Sequence, residues 1–324
     1  MTLPVLADVV RSGYVEGSHR GSLVVLRPDG SRLLALGDLD RPVFPRSSNK
    51  PLQAVALLDL GWQPADEEQV ALAAASHGGE EEHVAVVRRT LSAAGLGEAD
   101  LGCPPALPMH EPTAWSVLAT GGGPARVTMN CSGKHAAMLA TAVAVAAPTG
   151  GYLEAEHPVQ RGIYASVAAL AGEAVRHIAV DGCGAPQHAL TLPALARAFA
   201  VLATAAPGTS AHRVGSAMRG HPFLVAGTGR DATQLMQQLP GLLAKDGAEG
   251  VYACALPSGA AIALKIDDGA ARARMPVLVA ALRLLGQDAV VLDDLATVPV
   301  LGGGREVGAV RVSAELARLT AGRN

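Results

Sequence analysis

Ser47 and Lys50 stand three residues apart in the run Arg46-Ser47-Ser48-Asn49-Lys50-Pro51. A second serine, Ser76, heads Ser76-His77-Gly78-Gly79-Glu80, and a second lysine, Lys265, interrupts the apolar stretch 260–266. A serine hydroxyl becomes a nucleophile when a neighbouring base takes its proton. A lysine serves as that base where burial or a second cation keeps it neutral, with no His–Asp pair needed. In a helical or 3₁₀ turn positions i and i+3 share a face, so Ser47 can meet Lys50 while Ser48 points elsewhere. Pro51 disfavours the α region for the residue before it, which places the pair on an entry turn. The same residues also suit a helix cap, with Ser47, Ser48 or Asn49 holding backbone N–H groups. Lys265 is the candidate second cation, although a lysine at a strand end also reaches water. Acyl transfer from an amide through a serine ester is the chemistry these residues suggest first.

Three further segments carry polar chemistry. Ser76-His77-Gly78-Gly79-Glu80 follows an apolar helical run. It reads either as a helix stop with a new cap or as a loop presenting a hydroxyl, backbone N–H groups and a carboxylate to a small polar substrate. Asn130-Cys131-Ser132-Gly133-Lys134-His135 opens a helix, and Asp181-Gly182-Cys183-Gly184 follows a short strand. Thiolates at helix N-termini have lowered pKa values and bind soft metals, so Cys131 and Cys183, completed by Lys134 or His135, form a candidate site. The plain alternative is two buried cysteines. Val225-Ala226-Gly227-Thr228-Gly229-Arg230-Asp231 reads as a loop into a helix, and His19 as a surface residue.

The elements that must position these groups follow from turn and cap signals. Pro28-Asp29-Gly30 between 22–27 and 32–36 predicts a hairpin. Helices are expected after Pro51 with Gly61 as the stop, over 66–75 and 80–94, and then over 112–120, 133–146, 157–171, 189–205, 209–219 and 231–238. Residues 177–180 read as a short buried strand. Strands return at 250–255, 260–266 and 307–312, with a helix over 271–285. Strands at both ends and helices between predict one mainly antiparallel sheet drawn from about 5–45 and 250–313, in an α/β sandwich with an all-helical part, as a single unit over 1–324.

Composition narrows the function classes. Of 324 residues, 49% are hydrophobic and 17% charged, which is a globular composition. The formal net charge of −3 makes no electrostatic case for nucleic acid or acidic membrane. Aromatic residues at 3% leave few stacking platforms for bases. Residues 1–13 lack a basic region and a clean apolar run, so no signal peptide is read and a cytoplasmic location with four reduced cysteines is expected. The apolar run 136–148 is too short to span a bilayer and reads as a buried helix.

Taken in order, the segments resemble the L-asparaginase II family first described in rhizobia. The resemblance rests on Arg11-Ser12-Gly13-Tyr14-Val15-Glu16-Gly17-Ser18-His19, Gly37-Asp38, Phe44-Pro45-Arg46-Ser47 with Lys50-Pro51 and Gln53-Ala54, and Ser76 to Glu80. It continues through Asn130 to His135, Asp181 to Gly184, His221-Pro222 with the 225–230 loop, and Leu264-Lys265-Ile266. It implies a serine-β-lactamase-like fold and hydrolysis of L-asparagine to L-aspartate and ammonia. It further implies two Ser–Lys tandems, Ser47 with Lys50 and Ser76 with Lys265, and an acyl-enzyme on Ser47. Arg46, His77, Glu80 and Asp181 are the expected substrate-binding residues. The resemblance also implies zinc held by Cys131, Lys134 and Cys183, and a homodimer. A penicillin-reactive acyl-serine hydrolase is the enzymatic alternative, although no clear Lys-[Ser/Thr]-Gly strand motif is read. A non-catalytic amino-acid-binding homologue is the other.

Overall fold

The computed structural model describes residues 2–321. Ten strands are present among them: β1 Val5–Arg11, β2 Tyr14–Leu26, β3 Arg32–Leu36, β4 Ile178–Val180, β5 Pro186–His188, β6 Leu243–Gly247, β7 Val251–Ala255, β8 Ala261–Ile266, β9 Thr297–Gly302 and β10 Arg305–Val312. Eight of them form one antiparallel sheet in the order β6-β7-β8-β2-β1-β10-β9, with β3 also paired to β2. The chain divides into two compact units. One comprises Met1–Ser48, Leu190–Ala203 and Gln238–Asn324, and the other Asn49–Ala189 and Thr204–Gln237. The second unit holds most of the helices, and Leu190–Ala203 belongs to the unit that holds the large sheet.

In the sheet unit β2 is the organising strand. Its first half pairs with β1 and its second half with β8 and β3. The change of partner falls at Gly21, where a Cβ would stand 2.1 Å from the Lys265 carbonyl oxygen, so only glycine fits. Leu23, Val24, Val25 and Leu26 are all buried, the continuous apolar run of a strand covered on both faces. The helix Arg274–Leu284 packs on β8, β10 and β1. The hairpin expected around Pro28-Asp29-Gly30 is the β2–β3 pair, although its first strand reaches back to Tyr14.

The edge strand β6 lies outside the expected sheet segments. Its Lys245 and Asp246 obscure the apolar signal, yet both are buried because they pair with each other, Nζ to Oδ1 at 2.5 Å. Arg274 donates from Nη1 to the Gly247 carbonyl at 2.7 Å.

The helical unit follows local signals closely. Lys50–Leu60 carries Pro51 in its first turn and ends at Gly61, whose φ of 114° is the left-handed stop. Asp66 caps Glu67–Ala73 by accepting from the Gln69 N–H at 3.0 Å. Ser132–Ala144 is buried from Ser132 through Thr141 and on to Ala142, the fully covered helix its composition predicts. The short strand at 177–180 departs from expectation. Ile178 is 49% and Val180 79% exposed, because β4 pairs only with β5 in a two-stranded hairpin.

Gly247 supplies a test of this framework. A Cβ there would lie 2.4 Å from the Pro45 carbonyl oxygen and 3.0 Å from Ser48 Oγ. Gly247→Ala is expected to destabilise the protein by about 1–3 kcal/mol through overpacking against the turn that carries Ser47. Urea unfolding measures it, and an unchanged midpoint would show that β6 does not brace that turn.

Candidate active site

Lys50 opens its helix fully buried, at 1% exposure. Its Nζ donates to the Ala75 carbonyl at 2.5 Å, to Ser76 Oγ at 3.0 Å and to the Asn130 carbonyl at 3.4 Å. The hydroxyl that meets Lys50 is therefore that of Ser76. Two of the three partners are carbonyl oxygens, which only accept. A hydroxyl both accepts and donates. When Lys50 is neutral, its two N–H bonds suit the carbonyls and its lone pair is left for the Ser76 proton. Both protonation states of the lysine are thereby satisfied in one geometry.

Ser47 lies on the 3₁₀ turn Arg46–Asn49 and is part-exposed, whereas Ser48 is buried and donates to the Lys245 carbonyl at 3.0 Å. Arg46, just before Ser47, adopts a φ of 53°. A non-glycine residue in that region stores about 1–3 kcal/mol of strain, which clusters at functional sites. Its guanidinium lies 3.6 Å from the Glu249 carboxylate. Lys265 is half-buried and donates to the carbonyls of Glu249 and Ile266, both at 2.6 Å, and of Asp267 at 3.4 Å. Burial lowers its pKa, against the opposing pull of Asp267, Glu249 and Asp268. Arg46 and Lys265 line a cavity of about 350 Å³ together with Glu249 and Asp267. Within the helical unit Ser76 is bonded to Lys50, and the resemblance implies Lys265 as a further partner of Ser76.

The loop from Ser76 to Glu80 is fixed at both ends. Ser76 N–H donates to the Val225 carbonyl at 2.9 Å and His77 N–H to the Asn130 carbonyl at 3.2 Å. His77 Nδ1 accepts from the Gly79 N–H at 3.1 Å, which leaves Nε2–H to donate to Ser132 Oγ at 2.9 Å. Burial, with His83 and Lys50 nearby, holds the His77 pKa well below the ordinary value, so the ring is neutral. It is a structural link in the loop, with both nitrogens occupied. Glu80 accepts from the Thr228 N–H at 3.0 Å and from its hydroxyl at 2.6 Å. Gly79 is required by its φ of 75°, and Gly227 by the approach of Glu80 Oε1, 2.7 Å from where a Cβ would be. The carboxylate thus staples the 225–230 loop to the Ser76 loop.

Cys131, Lys134 and Cys183 converge in the helical unit. Cys131 precedes Ser132–Ala144, and Lys134 in its first turn donates from Nζ to Cys183 Sγ at 3.1 Å. A hydrogen bond from Cys131 and the Lys134 ammonium outweigh burial and hold Cys183 as a thiolate, while that same bond and burial push the Cys131 thiol up. Burial alone would lower the Lys134 pKa, but the Cys183 and Cys131 sulfurs raise it. The Asp181 carboxylate lies 3.5 Å from Cys183 Sγ. His135 does not join this set by a direct bond of Nδ1, which meets the Tyr152 hydroxyl at 2.6 Å. No group of three His, Cys, Asp or Glu side chains is gathered among the described residues, since the third donor here is a lysine. Two buried cysteine sulfurs, and a lysine amine beside Cys183 that could bind when neutral, offer soft and borderline donors that fit zinc.

Several residues take surroundings other than those expected from sequence, and Asn49 makes no side-chain cap bond. Asn49 and Gln53, one helical turn apart, are buried, and Asn49 Oδ1 and Nδ2 and Gln53 Nε2 have no hydrogen-bond partner among the described residues. Such groups call for a bound water or a polar ligand atom. His19, expected at the surface, is buried. Its Nδ1 meets Asp268 Oδ2 at 2.6 Å and its Nε2 accepts from Arg272 Nε at 3.1 Å. Both charged partners lie some 250 positions away, beyond any local signal. Strand β6 ends in Lys245-Asp246-Gly247 next to Ser48, so a Lys-x-Gly run is present with an acid in place of Ser or Thr.

An α/β protein with an eight-stranded antiparallel sheet, a helical unit and a buried lysine–serine pair is the class these features define. A family model for L-asparaginase II matches residues 7–312, and the chain belongs to that family. A search of curated proteins found no match. Among solved structures, Mglu in its native form is 20% identical with a TM-score of 0.44, covering 82% of this chain and 64% of its own. The chain thus spans less than two thirds of Mglu. A putative β-lactamase from Bacteroides dorei is 13% identical with a TM-score of 0.44, covering 81% of this chain and 92% of its own. A Bacillus glutaminase determined in 4.3 M NaCl is 15% identical with a TM-score of 0.34, over 76% and 83%. No helix among the described residues is long and apolar enough to cross a membrane.

Glu80 provides the pH test. Burial raises its pKa, but the two Thr228 hydrogen bonds and nearby His110 and His83 outweigh it and leave the carboxyl below its ordinary value. A depressed carboxyl contributes stability that is present above the unfolded pKa, about 4.3, and is lost as pH falls through the folded value. Wild type is expected to exceed Glu80→Gln by about 1.5 kcal/mol or more at pH 6, as for hydrogen bonds to a charged group. That advantage should shrink as pH drops below about 4. Denaturant unfolding at both pH values checks it, and a pH-independent difference would refute the carboxylate's role.

Proposed function

We propose that this protein hydrolyses L-asparagine to L-aspartate and ammonia through a lysine-activated serine, with the acyl group carried on Ser47. The observation that carries a lysine-activated serine is the buried Lys50 Nζ, 3.0 Å from the Ser76 hydroxyl and otherwise surrounded by carbonyls, and the choice of Ser47 as acyl carrier follows the family resemblance. Family membership supports the amide class of substrate. Ser47 is the part-exposed serine of its turn, placed on a strained residue and three positions before Lys50, which suits it to receive the acyl group. Lys50 takes the proton released on attack and returns it to the leaving ammonia, with the Ser76 hydroxyl as relay. Water then hydrolyses the ester by the same proton path in reverse. Lys265, Arg46, Glu80 and Asp181 would supply charge around the substrate's own charged groups.

A second reading is favoured by the same hydrogen bond. Ser76 is the hydroxyl that Lys50 touches, and on that ground Ser76 itself is the nucleophile. Ammonia release by wild type, Ser47→Ala and Ser76→Ala, with L-glutamine and a penicillin as parallel substrates, separates the readings. Wild type is expected to release ammonia from L-asparagine, and the nucleophile's alanine variant to lose at least about 10³-fold in kcat. An acyl adduct trapped on one serine and seen by mass spectrometry identifies it. Absence of ammonia release with a stable penicillin adduct would overturn the asparaginase reading in favour of a lactam-reactive hydrolase. Tight asparagine binding without turnover would instead favour a binding protein.

Zinc is part of the proposal. Cys131, Lys134 and Cys183 would hold it, and a bound zinc ion supplies a positive anchor for a carboxylate. Cobalt(II) titration is expected to give a thiolate-to-metal absorption band in wild type that is lost in Cys183→Ser. A wild type with no such band would refute the metal site. A cytoplasmic homodimer is the proposed cellular form.

A further inference from the structure

A cavity of about 480 Å³ lies in the helical unit between the helix Pro158–Ala171 and the β4–β5 hairpin. Its walls include Glu156, Gln160, Arg161, Tyr164, Ile178 and His188. None of these belongs to the serine–lysine pair or to the cysteine cluster. The volume falls within the range of small-molecule sites, about 300–1,000 Å³.

Two of the lining side chains are buried and incompletely bonded. Gln160 is 2% exposed and His188 1%. Gln160 Nε2 donates to the Tyr152 carbonyl at 2.8 Å, which fixes the amide's orientation, because a flipped amide would set two oxygens against each other. Gln160 Oε1 is then left with no partner among the described residues, as is His188 Nδ1. A buried polar atom without a partner costs about 1–3 kcal/mol. Two residues that line one cavity thus each carry a buried polar atom without a partner, which points to a ligand that completes both. Burial, with the Lys134 charge nearby, lowers His188 to about 4, so its ring is a neutral donor and acceptor at physiological pH.

The rim adds one charge of each sign. Glu156 and Arg161 are both exposed. Tyr164 stands one helical turn beyond Gln160 on the same face, with its ring 5.9 Å from that of His188. Ile178 is the cross-strand partner of His188 and contributes apolar surface. An anion-binding guanidinium, a cation-binding carboxylate, a buried acceptor and an imidazole around a small space match one ligand class. We propose that this cavity is a second binding site for a small zwitterionic α-amino acid, with its carboxylate toward Arg161 and its ammonium toward Glu156 and Gln160 Oε1.

The site has a physical route to the cysteine cluster. The turn joining β4 to β5 holds Cys183 and is closed by Asp181 N–H to the Ala185 carbonyl at 2.9 Å and Gly184 N–H to the Asp181 carbonyl at 2.8 Å. A ligand that grips His188 on β5 therefore loads the hairpin that presents Cys183. This inference does not depend on the asparaginase reading, since the cavity's residues take no part in the proposed reaction.

The test is titration of the full-length protein, labelled with ¹⁵N-histidine, with glycine, L-serine and L-aspartate. Acetate and ethylammonium serve as single-charge controls. The His188 imidazole signal is identified by its loss in His188→Gln. It is expected to shift saturably with at least one zwitterion, and at least tenfold more weakly with either control. Arg161→Gln and Glu156→Gln, both rim substitutions expected to keep the fold, should each weaken that response at least tenfold without changing ammonia release at saturating asparagine. Circular dichroism verifies that they are folded. A His188 signal unmoved by all three amino acids, or a response equal in wild type and both rim variants, would overturn the proposal. Controls that act as well as the zwitterions would overturn the amino-acid assignment.

Discussion

The burial of the Lys50 amine is the constraint on which the helical unit's site depends. A cation removed from water is tolerable only when neighbouring acceptors replace its hydration. Here those acceptors come from three segments: the Ala75 carbonyl just after the helix Glu67–Ala73, the Ser76 hydroxyl, and the Asn130 carbonyl just before Ser132–Ala144. All three groups lie on irregular backbone between regular elements, and a buried lysine placed where such segments meet is solvated by them. The same convergence brings a serine hydroxyl to the amine and so creates a pair capable of proton transfer.

The rest of the site is arranged around that convergence. The Asn130 carbonyl accepts from both Lys50 Nζ and the His77 N–H, and Cys131, the next residue, begins the thiol–amine cluster. Asn130 Oδ1 lies 3.1 Å from Cys131 Sγ. One short segment therefore supports both centres, and a displacement at either is felt at the other. The Ser76 loop is held in turn by Glu80 on Thr228, where Gly78 and Gly227 leave room for the Glu80 carboxylate and Gly79 for the backbone of Thr128 and Pro108. The glycines of these motifs are thus geometric requirements of one packed loop cluster, not independent turns.

Much of the fold was legible because its determinants are local. The stop at Gly61, the cap at Asp66, the hairpin at Pro28-Asp29-Gly30 and the buried helix after Cys131 each rest on residues within a turn of the feature they specify. Other features were not. Strand β6 was hidden by Lys245 and Asp246, whose charges neutralise each other only after folding. The burial of His19 depends on Asp268 and Arg272, brought to it by sheet pairing. The 177–180 strand has an apolar composition, but whether a strand is covered depends on what packs over it, and β4 lies open.

Residue types and their spacing carry the inventory of chemistry: a serine three residues before a lysine, a Ser-His-Gly-Gly-Glu run, two cysteines on turns and a lysine one turn into a helix. They also determined most helix boundaries and the antiparallel sheet drawn from both ends. Only the tertiary structure decided the partnerships. It gave Lys50 to Ser76, set the Lys265 amine on three carbonyls, and joined Cys183 to Lys134 across 49 positions. The reason is physical. Propensities, caps and turn types act over a few residues, whereas a buried amine or thiolate is stabilised by whichever acceptors and charges packing brings within about 3 Å, and their place along the chain carries no information about that distance.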